Sequence, residues 1–250
     1  MKTLLSLLLS LALLASSGMA ATWYVSADTG DDGNNGSSWT QAKRSIQAAV
    51  NTAAVTGDVI LVSNGTYTVT DGPQVVIINR SVDIRSVNGP EETFIDGENA
   101  RRCVEVKTTT PGNSASLSGF SICNGNAVNG AGVYKDYFRD FYLSNCVIHA
   151  NNSSKNGGGI HKTGRNSQMI VTDCIISNNQ AGEYGAGASS GSAGHLFMYH
   201  CEIVNNVASS GGGGGYGTAV GSVGTIFELH GCRIANNSCH SGSGGGIHTI

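Results

Sequence analysis

The chain has 250 residues, 36 of them Gly and only 3 Pro, and 12% of the residues are charged. Globular chains average about 7% Gly and about 25% charged residues, so this one is Gly-rich and charge-poor. Its low Pro content excludes a collagen or a Pro-rich linker, and its 40% hydrophobic content argues against disorder. A net charge of −3 without a basic run lacks the electrostatic footprint of a nucleic-acid binder.

In chain order, the first element is an export signal over residues 1–20. Lys2 precedes an apolar run from Leu4 to Ala15, and Gly18 and Ala20 stand at −3 and −1 of a cleavage before Ala21. That run is too short to span a bilayer, and no later segment has about 18 continuous apolar residues. The mature chain is therefore expected to be secreted or displayed at the cell surface, with no transmembrane segment after cleavage.

Residues 21–57 read as an N-terminal cap. The loop DTGDDGNNG, Asp28 to Gly36, is acidic and Gly-rich. Asp28, Asp31 and Asp32 are candidate calcium ligands there, calcium being the one cofactor the sequence suggests. The loop fails the EF-hand pattern, because Gly30 replaces a ligand and Trp39 stands where the bidentate Glu belongs; the alternative is a plain turn. Ser38 and Gln41 form a Ser-x-x-Gln capping box, and Ala42, Ile46, Ala49 and Val50 give one apolar stripe. A short helix is expected to close the mouth of the core.

Residues 58–250 are built from repeats. CVIHANN from Cys146, CIISNN from Cys174, CEIVNN from Cys201 and CRIANN from Cys232 recur at intervals of 28, 27 and 31 residues, with a degenerate copy, FSICN, from Phe120. GAGV, GGGI, GAGA and GGGI, ending at Val133, Ile160, Ala188 and Ile247, recur in phase with them. Each copy holds short β-prone runs separated by Gly, Ser or Asn, and none has helical spacing. A unit this short cannot close its own core, whereas stacked units share one. The expected fold is all-β: a right-handed parallel β-helix of about seven coils, with parallel strands roughly 4.8 Å apart. Period-2 alternation turns each Cys and the Ile two residues on (Ile148, Ile176, Ile203, Ile234) inward, and the paired asparagines close the strand. The chain stops within a coil at GGGIHTI, so a C-terminal truncation is expected from the missing cap.

The seven cysteines raise the question of disulfides. Residues stacked in register point the same way, whereas a disulfide wants converging Cβ atoms about 3.8 Å apart. Cys146, Cys174, Cys201 and Cys232 are therefore read as a ladder of buried thiols, and Cys232 with Cys239 as the plausible bridge. Stacking also places Asp173 beside His200, and Glu202 beside Arg233. Asp173 and Glu202 would then lie about 8 Å apart, within the range of an inverting carboxylate pair. These four are the candidate catalytic residues, and a salt-bridged surface ladder is the alternative. Tyr134, Tyr137 and Tyr142, in an aromatic cluster with Phe138 and Phe141, are candidate sugar-stacking residues, or else an inserted turn packed on the coil below.

The segment from Trp23 to Val69, WYVSADTGDDGNNGSSWTQAKRSIQAAVNTAAVTGDVILVSNGTYTV, resembles the opening of the bacterial pectate-lyase-like β-helix superfamily, and TFIDG (Thr93 to Gly97) resembles its second coil. The later coils resemble the repeats of polymorphic outer-membrane proteins, with Cys, Ile and Asn-Asn standing where that family's Phe and Asn would be. The resemblance implies architecture more than activity. The clustered Asp ligands and Lys or Arg base of pectate lyases, and the Asn-Thr-Asp, Asp-Asp and Gly-His-Gly motifs of polygalacturonase-like hydrolases, cannot be laid onto this chain. Asp31–Asp32 lies in the cap loop, and His161 follows GGGI. Two functions fit: an adhesive or glycan-binding scaffold without a catalytic site, whose partner is a polysaccharide or cell-surface glycan, and a lyase or glycosidase acting on acidic polysaccharide.

Overall fold

The structure, a computed structural model, describes residues 19–53, 56–107, 114–136, 140–164, 167–191, 193–218 and 224–249. The expected export signal falls almost wholly outside the described residues, as does Tyr137.

One coil shows how the sequence makes the fold. Phe141–Ser144 is a strand with Phe141 and Leu143 buried and Tyr142 exposed. Asn145 takes a left-handed backbone (φ 50°), a conformation that short polar residues tolerate, and the chain turns on that one residue. Val147–His149 follows, with Ile148 inside, and Ala150 (φ 54°) turns the chain again. Asn152–Asn156, a turn at Gly157 (φ 61°) and Ile160–Lys162 complete the circuit.

Equivalent segments of successive coils pair in parallel. They form sheet 1 with eight strands (including Phe141–Ser144), sheet 2 with seven (Val147–His149), sheet 3 with five (Asn152–Asn156) and sheet 4 with seven (Ile160–Lys162). The chain is thus a right-handed parallel β-helix, the hand that parallel crossovers take, and about seven coils are stacked. Sheet 1 feeds the core with Ile60, Ile84, Leu117, Leu143, Val171 and Met198, all at 0% exposure.

The two repeated phrases are in phase because each makes room for the other. Asn151, Asn179 and Asn206 are fully buried, and they form a ladder along the axis with Asn237. Asn151 Nδ2 donates to Asn179 Oδ1 (3.0 Å), Asn179 Nδ2 to Asn206 Oδ1 (2.9 Å) and Asn206 Nδ2 to Asn237 Oδ1 (2.9 Å). Asn179, Asn206 and Asn237 also accept the backbone N–H of the Asn below, while Asn151 accepts that of Gly125 (2.8 Å), and each amide donates to a strand carbonyl, as Asn179 does to Ile148 O (3.0 Å). A Cβ on Gly159 would sit 3.0 Å from Asn179 Nδ2 and 2.5 Å from Gly187 O, and one on Gly187 would meet Asn206 Nδ2 at 2.9 Å and Gly215 O at 2.5 Å. The Gly-Gly phrase is what lets the Asn ladder pass behind sheet 4.

The first copy corrects one expectation. In the later coils the first Asn of the pair is left-handed (Asn178 φ 55°, Asn205 φ 58°, Asn236 φ 55°), but in CVIHANN that position is Ala150. Asn151 therefore fills the ladder position, and Asn152 opens the next strand.

The cap is a helix, at a boundary different from the expected one. Ser38 precedes only a single 3-10 turn, Trp39–Gln41, and its side chain caps nothing. The α-helix is Ile46–Thr52; its N-cap is Ser45, whose Oγ accepts from Ala48 N (3.1 Å). Ile46, Ala49 and Val50 are buried against the first coils. Thr22–Val25 adds a parallel strand beside Asp58–Val62. Asp58 fixes it by accepting from Ala21 N (2.8 Å) and Trp23 Nε1 (3.1 Å).

Asn179→Ala would strand two N–H donors of Asn151 and the carbonyl of Ile148, and should cost about 3–5 kcal/mol in denaturant unfolding. Asn178→Gly at the neighbouring left-handed corner should stay within about 1 kcal/mol of wild type.

Candidate functional site

Of the four residues proposed for acid–base chemistry, two stand at the corner between sheets 1 and 2, and Glu202 and Arg233 open the sheet 2 strands that follow it. Asp173 (φ 52°) and His200 (φ 52°) are themselves the left-handed corner residues, so they stand beside the strand rather than on it. His200 Nδ1 lies 3.7 Å from Asp173 Oδ1, and Arg233 Nη1 lies 3.6 Å from Glu202 Oε2. The stacking therefore brings together the two pairs expected of it. All four side chains are open to solvent, with Asp173 64% and Glu202 49% exposed, and exposed ion pairs of this kind contribute little stability.

The tyrosines do not form one row. Tyr134 lies on sheet 4 and Tyr142 on sheet 1, while Tyr137 lies outside the described residues. Tyr134 is already engaged on both faces. Arg102 sits over its ring (4.7 Å), and His161 stacks against it (5.6 Å, 18° between planes).

The acidic loop is a hydrogen-bonded turn. Asp31 Oδ1 accepts from Gly33 N (2.7 Å). Asp32 accepts from Arg44 N, Ser45 N and Ser45 Oγ, each at 2.8 Å, tying the loop to the start of the helix. Among the described residues no three His, Cys, Asp or Glu side chains gather as a metal site. Of the three carboxylates expected at calcium, those of Asp31 and Asp32 thus bond the loop's own turn and the start of the helix.

The thiol ladder is present. Cys146, Cys174 and Cys201 are buried, and each Sγ donates to the carbonyl two residues before it: Ser144 (3.2 Å), Thr172 (3.3 Å) and Tyr199 (3.3 Å). Cys146 N donates to Cys174 Sγ (3.4 Å), and Cys201 N to Cys232 Sγ (3.4 Å). Burial pushes the Cys103 and Cys174 thiols well up, and that of Cys123 up to about 11, so they are packing groups rather than nucleophiles. The expected Cys232–Cys239 bridge is not formed: all seven thiols are free. Cys232 packs on the main core, whereas Cys239 packs on Ala181, Ala186 and Ala208 in sheet 3 and the turn beyond it. A thiol reagent should therefore reach at most the half-buried Cys232 and Cys239 in the native protein, and all seven in denaturant; a native disulfide would lower the second count by two.

Sheet 4 buries several titratable groups. His161 is 6% exposed, with Nδ1 2.7 Å from Ser189 Oγ. Burial, then the charges of Lys162 and Arg102, lowers its pKa to about 4. Lys162 is fully buried, its Nζ donating to Thr163 O (2.6 Å) and Gly164 O (2.9 Å), and burial lowers it to about 8. Below pH 6.5 an unfolded chain protonates His161 while the folded chain does not. Stability should accordingly fall by something on the order of 3 kcal/mol as pH drops from 6.5 to 4. Urea midpoints across that window should show this loss in the wild type and a shallower one in His161→Gln.

The most distinctive surface is one that the sequence reading passed over. On the outer side of sheet 1, Tyr142 pairs with Ile170, Ile170 with Phe197 and Phe197 with Glu228. Tyr199 pairs with His230 alongside, their rings stacked at 5.0 Å, and Ile226 is 42% exposed at the margin. Tyr142 is 42% exposed and borders a cavity of about 250 Å³ that Asp83 and Ser116 also line; Ser116 Oγ donates to Asp83 Oδ1 (2.8 Å). The sequence signal is an apolar residue at the fourth position before Cys146, Cys174 and Cys201, at outward parity. It escaped notice because single outward apolar residues are common.

The site thus belongs to a parallel β-helix that presents flat, ladder-like faces. No protein-family model matches the chain, and no curated protein does. Among solved structures it is similar to the pectin methylesterase from Aspergillus niger, in penultimately deglycosylated form. The TM-score is 0.41 and the identity 11%, over 90% of this chain and 91% of that one. So loose a likeness transfers no residue role.

Proposed function

We propose that the chain is an exported glycan-binding scaffold that uses the outer face of sheet 1. The observation that carries this reading is the strip of Tyr142, Ile170 and Phe197, flanked by Tyr199 and His230. Apolar and aromatic side chains held in register on a flat sheet form a patch that an ordinary surface keeps small unless something covers it. Aromatic faces stack on the apolar faces of sugar rings while hydroxyl and amide neighbours take the ring hydroxyls. Gln168, Ser144 and Thr172 lie on the same sheet beside the strip. The export-signal reading of residues 1–20 and the likeness of the coils to polymorphic outer-membrane-protein repeats fit a role outside the cell or on its surface.

A lyase or glycosidase acting on acidic polysaccharide is the second reading. It is favoured by the two carboxylates along one edge of sheet 2, Asp173 beside the His200 imidazole and Glu202 beside the Arg233 guanidinium.

Affinity electrophoresis of the mature chain against neutral and acidic polysaccharides separates the two. Tyr142→Ala with Phe197→Ala should weaken binding at least tenfold and leave the unfolding midpoint nearly unchanged. Unsaturated products or new reducing ends that vanish in Asp173→Asn or Glu202→Gln would instead establish the enzyme.

A further inference from the structure

A second cleft lies where the cap meets the first two coils. It encloses about 270 Å³ and is lined by Asp28, Trp39, Ser63, Asn64, Val87 and Asn88. Its walls come from two sources: Asp28 and Trp39 belong to the cap, whereas Ser63, Asn64, Val87 and Asn88 follow consecutive sheet 1 strands, Asp58–Val62 and Val82–Ser86.

The cleft is held firmly. Tyr67, buried in the first coil, accepts from Ala27 N (3.2 Å) and donates to Ser63 O (3.0 Å), pinning the cap loop to the turn below. Trp39 sits on the 3-10 turn and meets Tyr24 edge to face (4.8 Å, 67°). Asn88 Nδ2 donates to Asn64 Oδ1 (2.7 Å), and Asn64 Nδ2 to Glu92 Oε2 (3.4 Å), so the amides are aligned from one end. Trp39 and Val87 nevertheless remain 42% and 49% exposed. Leaving a tryptophan this open, on a turn bound at both ends, is unusual for a side chain whose only task is packing.

We propose that this cleft is a subsite for one neutral pyranose ring of a glycan, stacked on Trp39, with its hydroxyls taken by Asp28 and the Asn64–Asn88 amides. This rests on the glycan-binding reading above but uses a different surface. The volume is just under the roughly 300–1,000 Å³ of drug-sized ligand sites, which suits one ring and not a chain of them. Charge selects among sugars. Asp28 is in the wall and Glu92 closes the amide chain, while no Lys or Arg is among the lining residues. A uronate carboxylate would meet like charge there with no cation to offset it, so the cleft discriminates against acidic sugars.

The test uses the full mature chain and its Tyr142→Ala, Phe197→Ala double variant, observed through the Trp39 indole N–H signal in a ¹H–¹⁵N spectrum. The chain has two tryptophans, and Trp39→Phe assigns the signal. The probes are cellohexaose and mannohexaose as neutral sugars and hexagalacturonate as the acidic one. At least one neutral probe should shift the Trp39 signal saturably, in the double variant as in the wild type, with hexagalacturonate inert. By titration calorimetry, because the variant lacks the reporting indole, Trp39→Ala should weaken that binding at least tenfold, and Asp28→Asn should narrow the preference for neutral over acidic sugar. The proposal is overturned if no neutral probe moves the signal, if hexagalacturonate binds as well, or if Trp39→Ala binds unchanged with a native unfolding midpoint. Loss of polysaccharide binding in the double variant with the Trp39 response intact would uphold both readings. The converse pattern, an unaffected double variant and a responsive Trp39, would remove the sheet 1 reading alone.

Discussion

The buried Asn ladder is the interaction on which the rest of the coil geometry depends. A side-chain amide offers two donors and one acceptor oxygen with two lone pairs, and each ladder Asn uses both kinds. In Asn179 and Asn206 the oxygen takes two N–H groups from the Asn below, and the nitrogen reaches a strand carbonyl and the next amide. Burying such a group without partners is expensive, so a coil that slipped register by one residue would forfeit the whole set at once. The ladder therefore fixes the stacking register more sharply than the aliphatic core could, since Ile on Ile tolerates small shifts.

From that constraint the other repeated residues follow. The glycines of sheet 4 are small because the amides and the next coil's carbonyl occupy the space where a Cβ would go. The residue before each ladder Asn must turn left-handed, and Asn does so readily, although Ala150 shows that the stack can impose the same angle on a residue with no preference for it. The thiols at the opposite corner fit the same logic. Cys is small, donates weakly to a carbonyl and stacks on its neighbour without a disulfide, so a column of them fills a narrow edge of the core.

The stacked strands were legible in the sequence because two phrases recurred at one period, and period-2 alternation then placed Cys146, Ile148 and their counterparts inside. What was not legible had local physical causes. Ser38 and Gln41 have the letters of a capping box, but the chain between them is only a single 3-10 turn, and the cap is made by Ser45 with Asp32 behind it. Tyr134 and Tyr142 are close in sequence yet lie on strands of different sheets, Val133–Lys135 and Phe141–Ser144. The ion pairs at Asp173 and Glu202 were foreseen from stacking alone, but their exposure depends on what the neighbouring loops leave uncovered, and no spacing rule reports that.

From the strand Ser121–Cys123 onward, every corner flanking sheet 2 holds two residues between strands, so these coils repeat one local geometry. Each coil touches chiefly the one before and the one after, through contacts that span one repeat of sequence. Pulled along its axis from the end that carries Asn237, such an object would shed its length coil by coil, with the amide column setting the force over the coils that hold it. A chain built this way meets mechanical load as a series of links, and losing one leaves those beyond it folded.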